Sequence, residues 1–288
     1  MISLPVTATA RPSPTFTGIP ATATRHPSPT NVLLTDTAIP PALTQTPSPT
    51  LSPTLAVTFG PWRRTPLTLM LHQSNASFDS VQFLREFLQI VAQNGLRATT
   101  YREMTDDPDL SAREEGRLFI VTIDDINLIA PIRPSVREMI ALLLEAEYPA
   151  VLGVVTAGLG ADPETAATLQ SLSAQGWEIA AHTDTHQNLG TLEKLSPGDV
   201  RFEIRHCDDK IEALGVPRPV TLILPEGQMV ENARLLYKEG VKWAVGITGG
   251  NRFDSTDDLI YVGREGPAGT AAFTFEVMMR RFNPQLQP

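Results

Sequence analysis

Residues 180–190 read Ala-Ala-His-Thr-Asp-Thr-His-Gln-Asn-Leu-Gly, with two of the five histidines, His182 and His186, four positions apart. On a helix or tight turn that spacing brings both imidazoles to one side. A second pair, Asp124-Asp125, follows six uncharged residues, Leu118-Phe-Ile-Val-Thr-Ile123. Either pair alone is a weak signal. Together, one carboxylate and two imidazoles make a three-ligand set that leaves positions open for water and substrate, as catalytic zinc requires. A second carboxylate beside the ligand can then act as general base.

Such residues need rigid elements to bring them together. Pro66-Leu-Thr-Leu-Met-Leu-His72 reads as a buried strand ending at a histidine, and Leu118–Ile123 as a strand buried on both faces. Asp79–Asn94 has helical spacing and stops before Gly95. Helices are expected over Ser135–Glu147, Asp162–Ala174 (Asp162 as N-cap and Pro163 first), Pro197–Leu214 and Val230–Glu239. Between them, Ala150–Val155, Trp177–Ala181, Val220–Leu224 and Lys242–Val245 read as strands. Two apolar runs, Leu259–Val262 and Ala271–Phe275, close the chain. Alternating strands and helices imply a mostly parallel sheet, either doubly wound or a (β/α) barrel. Both folds carry their chemistry at the carboxyl ends of strands. His72, Asp124, Asp125, His182 and Pro225-Glu226-Gly227 all fall there.

These motifs, in this order, resemble the polysaccharide deacetylase (NodB-homology) family over nearly all of residues 66–265. Leu69-Met-Leu-His-Gln73 is similar to its opening strand, and Val121-Thr-Ile-Asp-Asp125 to its Thr-Phe-Asp-Asp motif. Gly176-Trp-Glu-Ile-Ala-Ala-His-Thr-Asp-Thr-His186 resembles its His-Ser/Thr-x-x-His motif, and Leu224-Pro-Glu-Gly227 its Tyr-Pro-x-Gly loop. The resemblance implies a distorted (β/α) barrel that hydrolyses N-acetyl groups on a glycan. It makes Asp124 the general base, and Asp125, His182 and His186 the ligands of one divalent ion, zinc with Co2+ or Ni2+ as substitutes. Pro225 and Gly227 would contact substrate. Asp184 lies in the variable middle of the histidine motif, where it either holds a histidine's second nitrogen or faces solvent.

Three positions depart from the family pattern. Ile126 stands where Gly is common after Asp-Asp, so the loop there differs or the residue is in ordinary β conformation. No arginine precedes Pro225, and no late Leu-x-His motif supplies a general acid; His72 is the substitute acid. The expected function is therefore a metal-dependent glycan N-deacetylase. The alternative is a catalytically silent relative that binds glycan or serves a structural role. A phosphoesterase ranks last, because Val121–Asn127 holds no basic residue.

Composition sets the frame. Residues 1–58 hold 11 of the 25 prolines and 14 threonines, with repeated Pro-Ser-Pro-Thr units and only Arg11, Arg25 and Asp36 charged. Such a segment is expected to be a disordered stalk on an exported, extracellular or cell-surface protein. Residues 59–288 are expected to form the single catalytic domain, a monomer. No spanning segment is visible, so membrane contact is expected only through an upstream anchor. The stalk carries net charge +1, leaving −10 for residues 59–288, which disfavours nucleic acid as a partner. Cys207 is the single cysteine, so no intrachain disulfide can form.

Overall fold

The computed structural model describes residues 66–114, 116–247, 254–256 and 259–282, and the expectations for residues 1–58 lie outside these. The chain runs β1 (Leu67–Leu71), α1 (Ser80–Gln93), β2 (Arg97–Ala98), α2 (Tyr101–Asp106), α3 (Leu110–Arg113) and β3 (Leu118–Asn127). It continues α4 (Pro134–Glu145), β4 (Val151–Val155), α5 (Pro163–Ala174), β5 (Glu178–Ala181), α6 (Leu189–Leu195) and α7 (Pro197–Glu212). Then follow β6 (Thr221–Ile223), a 3-10 turn (Pro225–Gly227), α8 (Arg234–Tyr237), β7 (Trp243–Gly246), β8 (Asp254–Thr256), β9 (Leu259–Gly263) and α9 (Ala271–Phe282).

The strands are ordered β1-β3-β4-β5-β6-β7-β9-β8, all parallel except the β8–β9 hairpin, with β2 also on β3. Just beyond β9, Glu265 returns to β1: Met70 N–H donates to its carbonyl at 2.8 Å, and its own N–H donates to Thr68 O at 2.9 Å. The sheet thus nearly closes into a (β/α) barrel. Closure decides between the two architectures that strand alternation alone permits.

Residue parity along the strands builds two apolar layers. Phe119, Val121, Ile123, Leu152, Val154, Ile179 and Ala181 face the helices. Ile120, Val151, Ala180, Ile223, Val245 and Val262 fill the barrel, and the tilted rings of Tyr101 and Trp243 meet within that layer at 5.2 Å. Helices start where their caps dictate. Asp79 accepts from Val81 N and Gln82 N to open α1, and Asp162 accepts from Thr165 N to open α5 with Pro163 first.

Two expectations change. The helix expected over Val230–Glu239 shrinks to Arg234–Tyr237, and the segment before it is tied down by the Glu193 carboxylate, which accepts the N–H groups of Glu231 and Asn232 at 2.6 and 2.9 Å. The closing run Ala271–Phe275 opens helix α9, whose Phe275 meets Phe87 of α1 edge to face at 6.1 Å.

Candidate metal centre

Asp124 and Asp125 lie inside β3, not after it, and the pairing of β3 with β4 slips between Ile123 and Ile126. Three steps on β3 oppose two on β4, so one extra residue bulges out, and Asp125 takes a left-handed φ of 63°. The bulge has a clear consequence. Without it, simple alternation would send Asp125 toward the helices and Ile126 into the barrel. With it, Asp124 points inward at 2 % exposure, Asp125 rises to the rim, and Ile126 joins Ile123 and Leu128 in the helix-side core. Of the two conformations expected for Ile126, the structure adopts ordinary β; the positive φ belongs to Asp125. Gly153 on β4 makes room for this turn, since a Cβ there would lie 3.0 Å from Ile223 Cδ1 and 3.4 Å from Asp124 Cα.

His182 continues β5 by one residue, its N–H donating to Val154 O at 2.9 Å, so parity turns the ring inward and buries it. Its Nδ1 lies 2.8 Å from Ile223 O. A carbonyl can only accept, so Nδ1 carries the hydrogen and Nε2 presents a lone pair. His186 turns back over it from a residue at φ 59°. The two Nε2 atoms are 3.1 Å apart, and Asp125 Oδ1 lies 3.3 Å from His182 Nε2 and 3.1 Å from His186 Nε2. Edges of this length are those of a tetrahedral coordination shell, about 3.3 Å for bonds of about 2.0–2.1 Å to imidazole nitrogen. Among the described residues, these three form the group that could hold a metal ion. The donor set of two imidazoles and one carboxylate suits zinc. The imidazoles around it, His182 first and then His72 and His186, hold the Asp125 carboxyl down at about 2 against the effect of burial.

Asp124 sits against this triangle without joining it. Its Oδ1 accepts from Arg264 Nη1 at 2.7 Å, and Arg264 also donates to Thr122 Oγ1 at 2.7 Å and Gly246 O at 3.2 Å. Burial by itself would raise the Asp124 pKa; Arg264, then His182 and His72, outweigh it and hold the carboxyl below its ordinary range. Arg264 was not among the residues singled out in the sequence. It sets a cation against Asp124 from the residue just beyond β9. The one available signal was parity: Val262 faces inward, so Arg264, two residues on, does too. The guanidinium also means that the acidic pair is not free of basic neighbours, although Arg264 is 2 % exposed and its donors are engaged within the barrel.

His72, at the end of β1, is half-exposed and places Nε2 3.8 Å from Asp124 Oδ2 and 3.8 Å from Asp125 Oδ2. Asp184 does hold a histidine nitrogen, but that of His206 (Nδ1, 3.0 Å) and not that of a ligand, and it is buried. A cleft of about 370 Å³ opens beside the centre, lined by Gln73, Asn127 and Arg133 and by the apolar Ile126, Ile132 and Val136, with Asp124, Asp125 and His186 at its edge. Pro225 and Gly227 do not line it. Gly227 is packed instead against Ile247, whose Cγ1 would lie 2.1 Å from a Cβ at this position.

The family model described as polysaccharide deacetylase matches residues 111–241. No curated protein matches the chain. Among solved structures, the Streptococcus pyogenes deacetylase PplD, in complex with acetate, is 17% identical, covering 74% of this chain and 97% of its own with a TM-score of 0.60. IcaB from Ammonifex degensii is 18% identical (75% and 96% covered, TM-score 0.57). The de-N-acetylase from Aggregatibacter actinomycetemcomitans is 14% identical (74% and 98% covered, TM-score 0.55). At these identities the structures speak for the fold, and the likeness to the family model extends over residues 111–241. Over residues 111–241 the chain is similar to the polysaccharide deacetylase family, and its fold is that of the solved deacetylases.

Proposed function

We propose that the domain is a metal-dependent hydrolase that removes N-acetyl groups from an extracellular or cell-surface polysaccharide. The observation that carries this reading is the triangle of Asp125, His182 and His186 ligand atoms beside a buried, ionised Asp124. These three residues would hold one divalent ion, zinc first, with cobalt or nickel as substitutes. When bound, the ion supplies Lewis-acid polarisation of the acetyl carbonyl and makes water more acidic.

The chain's own residues divide the proton work. Asp124 Oδ1 is taken by Arg264, which leaves Oδ2 to accept the proton of the attacking water. The water's hydroxyl adds to the acetyl carbon and the C–N bond breaks. His72 stands over both carboxylates and delivers its proton to the departing amine, so acetate and a free amine result. The cleft suits a sugar ring, with Gln73, Asn127 and Arg133 for its hydroxyls over a floor of core side chains. In this reading residues 59–288 act as a monomer, and residues 1–58 serve as a Pro/Thr-rich stalk.

The test measures bound metal and acetate release from peptidoglycan, chitin-like oligomers, poly-N-acetylglucosamine and acetylated xylan. Stoichiometric zinc with acetate from an N-acetylated polymer is the expected result. Acetate from the xylan alone would make the enzyme an O-esterase. The sequence lacks the late Leu-x-His motif, which favours a second reading, a silent glycan-binding module. Metal without acetate from any polymer selects that reading.

A further inference from the structure

The segment between the two histidines is held against its own backbone preference. Thr183 has φ 64° and His186 φ 59°, left-handed conformations that are strained for L residues of this kind. Thr183 is β-branched, the least tolerant type. Yet this turn is what folds His186 back over His182. A restraint from outside the loop must hold it.

That restraint is α7, which packs against β5 and the loop that follows it. Glu203 is 4 % exposed, and both its carboxylate oxygens are spent on one loop residue. Oε2 accepts the Thr185 N–H at 2.7 Å, and Oε1 accepts the Thr185 hydroxyl at 2.6 Å. The carbonyl of Glu203 accepts the Asp184 N–H at 3.1 Å. Two consecutive loop amides therefore hang on one helical residue. Asp184 is pinned as well, its Oδ1 accepting from Thr156 Oγ1 at 2.7 Å and Lys210 Nζ at 2.8 Å. Bonds from a buried carboxylate to an N–H and an O–H are charge-assisted and among the strong ones.

We propose that Glu203 is a positioning residue for the metal centre: through Thr185 it fixes the left-handed turn that brings His186 Nε2 to His182 and Asp125. The assignment rests on the metal reading above. Glu203 touches neither ligand atoms nor cleft, so its effect is on ligand geometry.

Three variants separate this from a general stabilising role. Glu203→Ala removes both acceptors. Glu203→Gln keeps the shape, its carbonyl accepting from Thr185 N–H and its NH2 donating to the Thr185 hydroxyl. Glu239→Ala breaks the buried pairing with Arg201 and Arg205 of the same helix without touching the loop. Zinc dissociation constants are measured by chelator competition, and amide hydrogen exchange of the peptide spanning 183–186 is followed in metal-free protein. Glu203→Ala is expected to weaken zinc about 10- to 100-fold and to speed exchange in that peptide, whereas Glu203→Gln stays within a few-fold and Glu239→Ala matches wild type. If Glu203→Ala binds zinc as wild type does, or loses no more than Glu239→Ala, the assignment is overturned while the metal reading stands. Wild-type protein that binds no zinc overturns the metal reading, and this assignment with it.

Discussion

At the scale of single residues, the pair Asp124–Arg264 is the most demanding arrangement in the barrel. Both side chains are almost fully buried, with a 2.7 Å contact between them. Removing one partner strands a charge. Arg264→Met is expected to cost about 3–5 kcal/mol in urea unfolding, whereas Asp124→Asn with Arg264→Met should cost well under the sum of the single changes. Additive costs would mean the two side chains do not interact as the distance implies. Asp124→Asn alone has a different signature. Acetate release is expected to fall about 10²- to 10⁴-fold while zinc content is unchanged, because the proton acceptor is lost and the ligands are not. A loss of zinc in that variant would make Asp124 a ligand. The carboxylates and imidazoles were legible in the sequence because their types are rare and chemically restrictive. Arg264 was not, since an arginine after a strand is commonplace until the barrel closes around it.

At the scale of elements, capping and bulging do most of the positioning. Asp79 opens α1 with one carboxylate oxygen accepting two backbone N–H groups, at 3.1 Å each. Asp79→Ala is expected to cost about 1 kcal/mol. In a domain of this size that is a fall of roughly 2–4 °C in Tm by calorimetry. Gly227 has φ 68° and no space for a methyl group against Ile247. Gly227→Ala should therefore destabilise more than the Asp79 variant; an equal or smaller shift in Tm would show that the 3-10 turn simply moves aside. Helix starts such as Asp79 and Asp162-Pro163 could be read directly, because a cap is a local bargain between neighbouring residues. The β3 bulge could not, since a register slip exists only between two paired strands. The true extent of α8 was hidden for a similar reason: the segment before it is anchored by Glu193, some 40 residues earlier, a contact that exists only in the folded chain.

At the scale of the whole molecule, α7 is the beam between the metal loop and the outer surface, and it carries an acid in the wrong state for neutral pH. Asp208 is 2 % exposed; burial pushes its pKa up to about 7, with Arg218 only partly opposing it from 3.5 Å. The folded value lies above the ordinary 3.8, so the folded protein holds a proton that the unfolded chain has released. The stability contributed by the neutral form is complete below about pH 4 and lost as pH rises through 7. Asp208→Asn, permanently neutral, should therefore gain stability over wild type progressively from pH 4 to pH 7. Melting curves at pH 4.5 and pH 8 decide it: a gain in Tm at pH 8 that shrinks at pH 4.5 is expected, and a pH-independent difference would contradict the assignment.

The sequence by itself determined the residue types of the metal set, their placement toward the carboxyl ends of strands, the helix caps and the alternation that demands a parallel sheet. These are local or periodic properties, written over a few residues at a time. Only the tertiary structure decided that the sheet closes, that a bulge lifts Asp125 beside His182 and His186, and that Arg264 and Glu203 serve residues 140 and 18 positions away. Each of those depends on which segments meet across the barrel or under a helix. Such meetings are set by the packing of the whole core, which no short stretch of sequence contains.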